Sequence, residues 1–300
     1  MHVSEHISPL INCDLCGSPV EHMAYVVARG EQRLLDISLP LTIMVCRHCR
    51  FIFQGQSYSD KLLAALYAHD GSFAFGENDN NRPLVHKHLA ERQQVISNAM
   101  AIHGLLHGAN VLDVGGGIGE CCVHLIDKHE VVVADASNSI PANPRISKVD
   151  GLFSGQLALE SFDVVVLNHV LEHVFSPTAL LESTHQVLRA GGIAVIEVPF
   201  ELFTPLLARH LGDWRHVVYY SRSTLSQFLQ KTGFEVERIE LVEGCYGVRR
   251  LPVIRALARK NNKREYTHLV QRQSSVALFR DMLTPVALHS LANRAIRRSS

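Results

Sequence analysis

The 300-residue sequence has no apolar run near the ~18 residues that a membrane-spanning helix needs. Its first residues, Met1 to Glu5, lack the charged-then-apolar order of a secretory leader. Net charge is also missing, because 29 Lys and Arg balance 29 Asp and Glu. Charged residues make up only 19% of the chain beside 47% hydrophobic ones, a mix that excludes an extended disordered protein. The seven cysteines are odd in number and fit a reducing compartment better than a disulfide framework. These absences predict a cytosolic globular protein with no membrane span, consisting of one large domain and a small appendage.

Four of the cysteines are paired by spacing: Cys13-Asp-Leu-Cys16 and Cys46-Arg-His-Cys49. Each Cys-x-x-Cys makes a tight turn that aims two thiolates at one point, and two such knuckles form the tetrahedral sulfur cage that Zn²⁺ prefers. Strand-like runs between them (Tyr25–Ala28, Leu34–Leu39, Thr42–Val45) predict a hairpin that brings the second knuckle back to the first. With four sulfurs and no open position, the predicted ion is structural. His22 and His48 are substitute ligands, and a redox dithiol is the competing reading. Cys121, Cys122 and Cys245 read as small buried hydrophobes.

The next signal is an apolar strand from Asn110 that runs into Asp113-Val-Gly115-Gly-Gly117-Ile-Gly119 and then a predicted helix, Cys122–Lys128. Such glycines let the backbone approach a ligand and present amide donors to it. A dinucleotide fingerprint would need a third glycine where Glu120 stands, so the pattern here is Asp-x-Gly-x-Gly-x-Gly. Downstream come a second strand ending in Asp135 and a short strand ending before Asp150. A fourth ends at Asn168 and is followed by His169-Val-Leu-Glu-His-Val174; a fifth ends at Pro199. An acid at the end of the second strand is suited to both ribose hydroxyls of a nucleoside.

In this order the segments resemble the class I S-adenosylmethionine-dependent methyltransferases. The resemblance implies a Rossmann-like α/β fold with a seven-stranded sheet. It also implies a cofactor site of Asp113, Gly115, Gly117, Gly119, Asp135, Asp150 and Asn168, with Asp150 facing the adenine amino group. The cysteine knuckles in front and His216-Val-Val-Tyr219-Tyr220-Ser221 behind further resemble the deoxysugar C-methyltransferases, which act on nucleotide-linked keto sugars. That resemblance marks His216 as first candidate for a general base, with His169 second and Tyr219 orienting a substrate oxygen. His173 reads as a structural helix histidine, with Glu172 bonded to backbone.

Charge is unevenly placed. From Arg249 to Ser300 there are twelve Lys and Arg against two acids, and the rest of the chain is correspondingly acidic. Ser274–Arg280 is the predicted seventh strand. The basic insertion 249–272 before it is then expected either to overhang the substrate mouth and bind phosphate, or to dock as helix on the acidic body. The expected organisation is a zinc module at 1–60, a helical linker and lid at 61–106 with Phe73 and Phe75, a methyltransferase domain at 107–282 and a basic helix at 283–300. The expected activity is methylation of a small anionic acceptor, a nucleotide-linked or phosphorylated sugar. Two alternatives remain open at this point. One is an RNA base methyltransferase gripping nucleic acid with the basic end, although the isoelectric point near 7.3 is low for that role. The other is a non-catalytic scaffold that binds the cofactor.

Overall fold

The computed structural model describes residues 3–34, 37–59, 61–63, 82–137, 139–151, 153, 157–202, 215–246, 249–261, 280–284 and 286–288. The N-terminal part comprises β1 (Ile7–Pro9), α1 (Val20–Met23), a hairpin of β2 (Ala24–Leu34) and β3 (Ile37–Cys46), then β4 (Ile52–Gln54) and β5 (Gln56–Tyr58). The hairpin is the one expected from the strand-like runs, and it carries Cys46 back towards the first knuckle. Helix α2 (Arg82–Ile102) leads into the main sheet. The strands of that part are β6 (Asn110–Val114), β7 (Glu130–Asp135), β8 (Ser147–Asp150) and β9 (Phe162–Asn168). Helix α3 (Pro177–Val187), β10 (Leu188–Pro199), β11 (Val218–Tyr219), α4 (Arg222–Lys231), β12 (Phe234–Tyr246) and β13 (Arg249–Lys260) follow.

Seven strands form one sheet in the order β12-β13-β10-β9-β6-β7-β8. Strands β6 to β10 pair in parallel, while β13 runs antiparallel to both β10 and β12. This is the Rossmann-like seven-stranded architecture anticipated from sequence. The central strands read as continuous apolar runs because both faces are covered: Val164, Val165, Val166 and Leu167 of β9 are all fully buried. Such a sheet places its ligand sites beyond the carboxyl ends of the parallel strands.

The seventh strand is a correction. It is Arg249–Lys260, inside the segment expected to be a helical insertion, and residues 274–279 lie outside the described residues. Leu251, Ile254, Leu257 and Ala258 mimic a helical stripe, but along β13 the buried Ile254, Ala256 and Ala258 alternate with the less covered Arg255, Leu257 and Arg259. The segment Cys122–Lys128 also differs: it folds as turns around a short 3-10 helix at Val123–Leu125.

The N-terminal part and the main sheet share one core. Strand β11 pairs antiparallel with β4, through Val218 opposite Phe53 and Tyr219 opposite Ile52. The Phe51 ring packs edge-on against Phe228 of α4 at 4.9 Å. The expected break near residue 60 is therefore crossed by a strand contributed from residues 218–219. The loop with Phe73 and Phe75 and the segment 289–300 lie outside the described residues. Among the described residues no helix is long and apolar enough to cross a membrane.

Candidate functional site

At the end of β6 the chain turns through Gly115, Gly117 and Gly119, with φ of 64°, 57° and 83°. Two of these positions exclude a side chain for a second reason. A Cβ on Gly115 would lie 2.6 Å from Val170, and one on Gly119 would lie 2.9 Å from Ile146. Asp135, at the end of β7, anchors the turn: its Oδ2 accepts a 2.9 Å bond from the Gly117 N–H and its Oδ1 a 2.7 Å bond from the Ser137 N–H. Two carboxylate oxygens bonded once each keep lone pairs for further donors. Asp113 lies beneath the loop, where a Cβ on Gly116 would touch its carboxyl at 2.5 Å. Burial lifts the Asp113 pKa to about 7, opposed by a Cys122 hydrogen bond and reinforced by the charge of Asp135. Asp113 Oδ2 and Asn168 Nδ2 are buried without hydrogen-bond partners. Such orphaned polar atoms at a sheet's ligand edge fit a polar occupant.

Beside this turn the ends of β9 and β10 hold a chain of carboxylates and imidazoles. His169 directly follows β9 with φ of 53°, a left-handed conformation that is strained for a non-glycine residue. Its Nδ1 lies 3.1 Å from Glu172 and its Nε2 3.1 Å from Glu197. Carboxylates at both nitrogens favour a doubly protonated ring, and although burial opposes the charge the His169 pKa is raised. Glu197 also accepts from Arg92 of α2 at 2.9 Å and from Arg255 of β13 at 2.6 Å. Burial would raise the Glu197 pKa, but the His169 hydrogen bond and these cations hold it well below the carboxylate range. Farther along, His173 Nδ1 bonds the Arg215 carbonyl at 3.0 Å and His216 Nδ1 bonds Glu201 at 2.6 Å. The His173 and His216 rings meet edge-on at 4.9 Å.

The four knuckle cysteines converge. Cys13 and Cys49 Sγ are 3.6 Å apart, as are Cys16 and Cys46, and all four sulfurs lie within 4.8 Å of one another. Sulfurs 2.3 Å from a central zinc are separated by about 3.8 Å, so the donor set fits the ion. The two turns are alike: Gly17 N–H bonds the Cys13 carbonyl and Arg50 N–H the Cys46 carbonyl, with Gly17 and Arg50 both at positive φ.

A model of the methyltransferase domain family matches residues 65–239, more than half of the chain. The chain belongs to the methyltransferase domain family. Among solved structures it is similar to the 1,6-didemethyltoxoflavin-N1-methyltransferase of Burkholderia thailandensis, with 18% identity and a TM-score of 0.53 over 78% of this chain and 100% of that one. It is also similar to the magnesium protoporphyrin IX methyltransferase of Synechocystis PCC 6803, with 15% identity and a TM-score of 0.51 over 67% of this chain and 100% of that one. Both structures contain S-adenosylhomocysteine. No curated protein matches. By family and fold the chain carries a methyltransferase domain.

Within the methyltransferase, the expected site residues separate into groups. Asp113, Gly115, Gly117, Gly119, Asp135 and Asn168 gather around the turn. Asp150 ends β8 at the rim, with its side chain 81% exposed and paired to Lys148 at 2.9 Å. Three expectations change. With carboxylates at both nitrogens, His169 is a poor general base. Tyr219 is 2% exposed within β11, which corrects its reading as a substrate-orienting group. Glu172 bonds the His169 side chain, not backbone. The basic segment is also accounted for in part. Arg255 pairs with Glu197, Arg259 with Glu235 and Glu237, and Lys260 with Glu160, so these cations neutralise acids of the same body.

Sequence reasoning missed Arg92, Glu197 and Glu201, and placed Arg255 in the phosphate-binding insertion. Glu197 had a visible signal, a lone charge inside the apolar run Ile193–Val198, since a buried acid requires cationic partners. The partners themselves come from distant elements and left no local pattern.

Proposed function

We propose that the glycine turn holds S-adenosylmethionine, with its ribose hydroxyls bonded to Asp135 and its methyl group directed towards the His216 end of the carboxylate and imidazole chain. The observation that carries this reading is the Asp135 carboxylate, fixed by the Gly117 and Ser137 amides with lone pairs to spare. The bound cofactor supplies an activated methyl group, so the protein's task is to align an acceptor atom with it and exclude water. Asp113 and Asn168 line the floor, and Asp150 closes the rim on the adenine side.

The acceptor we favour is small and anionic, a nucleotide-linked or phosphorylated sugar. Two features support it. Two guanidinium groups, those of Arg92 and Arg255, lie near this end, both on Glu197. The segment from His216 to Ser221 also carries the motif of the sugar methyltransferases. His216 is the residue assigned to activating the acceptor, its ring oriented by the Glu201 carboxylate 2.6 Å from Nδ1. The cysteine cluster is assigned a structural Zn²⁺ held by Cys13, Cys16, Cys46 and Cys49, which supplies rigidity and no chemistry.

The test is incubation with methyl-labelled cofactor and a panel of nucleotide sugars, sugar phosphates, neutral glycans and RNA. Label is expected in a phosphorylated sugar. Transfer to RNA alone, or no cofactor binding by calorimetry, would overturn the reading.

A further inference from the structure

Arg255 of β13 is bonded differently from Arg259 and Lys260 on the same strand. Arg259 uses both ends of its guanidinium, with Nη2 on Glu235 at 2.9 Å and Nε on Glu237 at 3.1 Å. Lys260 is bonded to Glu160 and to the Leu188 carbonyl. Arg255 donates through Nε alone, to Glu197 Oε2 at 2.6 Å, and among the described residues it has no other hydrogen bond or ion pair. Its Nη1 and Nη2 donors are therefore left without a protein acceptor, although the side chain is only 17% exposed. A largely buried guanidinium with its fork unused calls for an anionic partner.

The surrounding carboxylates are already engaged. Glu240, directly opposite Arg255 on β12, is bonded to Arg238 at 3.0 Å. Glu172 serves His169. Glu197 is shared, since its Oε1 accepts from Arg92 at 2.9 Å while its Oε2 accepts from Arg255. One carboxylate between two guanidinium groups leaves positive charge beside it. The place of that charge follows from the strand order. Strand β13 runs antiparallel to β10, and Arg255 stands opposite Glu197 near the carboxyl end of β10. Glu197 is bonded in turn to His169, which directly follows β9. The unused fork is thus at the edge where a sheet of this kind takes its ligands.

We infer that Arg255 recognises the anionic group of the acceptor, its Nη1 and Nη2 gripping two oxygens of a phosphate or carboxylate while Nε stays on Glu197. The inference rests on the reading of this edge as the acceptor end of the methyltransferase site and names the residue that selects the charge there. Two parallel N–H···O bonds match the oxygen pair of either anion, which the point charge of an ammonium does not. Glu197 is the positioning partner. By holding Nε it fixes the plane of the guanidinium before the anion arrives, so less side-chain entropy is lost on binding. Arg255 makes and breaks no covalent bond. It holds the anion and so keeps the acceptor atom in line with the methyl group.

Two measurements on the full chain with S-adenosylhomocysteine test this, using inorganic pyrophosphate and glucuronate as probes and glucose as the neutral control. In the first, arginine modification by phenylglyoxal is mapped by peptide mass spectrometry. One of the anions is expected to slow modification of Arg255 by at least about tenfold, with no effect of glucose. Protection by pyrophosphate assigns a phosphate, and protection by glucuronate alone assigns a carboxylate. In the second, calorimetry compares the parent with Arg255→Lys, which keeps the charge and loses the fork. The variant is expected to bind the protecting anion at least about tenfold more weakly, with unchanged affinity for S-adenosylhomocysteine. Modification of Arg255 at the same rate with and without both anions would overturn the inference, as would equal anion affinity in parent and variant. The protection measurement needs no variant and decides even where Arg255→Lys does not fold. A parent that binds no cofactor would sink the methyltransferase-site reading, while protection of Arg255 still decides the anion.

Discussion

The Asp14 carboxylate, between the two cysteines of the first knuckle, accepts a 2.8 Å bond from the backbone N–H of Thr178 in the first turn of α3. Its other oxygen accepts from the Ser176 hydroxyl at 2.8 Å, and Ser176 is itself the N-cap of the helix. The Lys231 ammonium at the end of α4 bonds the Asp14 carbonyl at 2.6 Å. The knuckle thus caps one helix and ties down another, with an acid placed where the helix dipole favours it.

Asp14→Ala should therefore lower the unfolding free energy by roughly 1–2 kcal/mol, the usual worth of a lost cap. Chelation of the Zn²⁺ proposed for the cysteine cluster should have a larger effect on the same elements. Thermal denaturation followed by circular dichroism checks both. A methyltransferase sheet that melts at an unchanged temperature after chelation would contradict the coupling.

Asp135→Ala removes the acceptor that organises the turn and that is proposed to receive the ribose. Hydrogen bonds to a charged group contribute about 1.5–3 kcal/mol each, so two of them lost should weaken S-adenosylmethionine by at least about a hundredfold. The sheet should stay folded, because the side chain is at a strand end. Calorimetry measures this, and affinity equal to that of the parent would remove Asp135 from the site.

Glu197→Gln leaves Arg92, Arg255 and a charged His169 facing one remaining carboxylate. Breaking a buried ion pair from one side costs about 3–5 kcal/mol, and unfolding in denaturant should show a loss of that order. The double variant Glu197→Gln/Arg255→Met should recover part of it, because it removes one orphaned cation. Additive losses would argue that the two side chains act independently.

Asp113 gives the fold a pH dependence with a definite sign. Its folded pKa is raised from 3.8 to about 7, so the folded protein keeps a proton that the unfolded chain gives up. This contribution is fully present below the unfolded value and is lost as pH rises from about 4 to about 7, reaching roughly 4 kcal/mol at 1.36 kcal/mol per unit. Asp113→Asn, which cannot ionise, should be less sensitive over that window and gain on the parent as pH rises. Parallel stability curves for the two proteins would refute the assignment.

The local patterns were legible because each needs only neighbours in the chain. Cys-x-x-Cys makes its own turn, three spaced glycines permit their own positive φ, and apolar runs announce buried parallel strands. Ser221 is the N-cap of α4, where it forms a capping box with Thr224. Arg249–Lys260 was misread since Leu251, Ile254, Leu257 and Ala258 also fit a helix stripe, and its pairing with β10 and β12 is a long-range property.

By itself, then, the sequence determined the run of parallel strands, the turn at Gly115–Gly119, the acid at Asp135 and the two knuckles. The tertiary structure decided which charges meet: Arg92 and Arg255 on Glu197, Asp14 on Thr178, and His173 beside His216. The reason is physical. Turn and strand propensities act over a few residues, whereas a buried charge is stabilised by whatever the folded sheet brings within ~3 Å of it, from any distance along the chain.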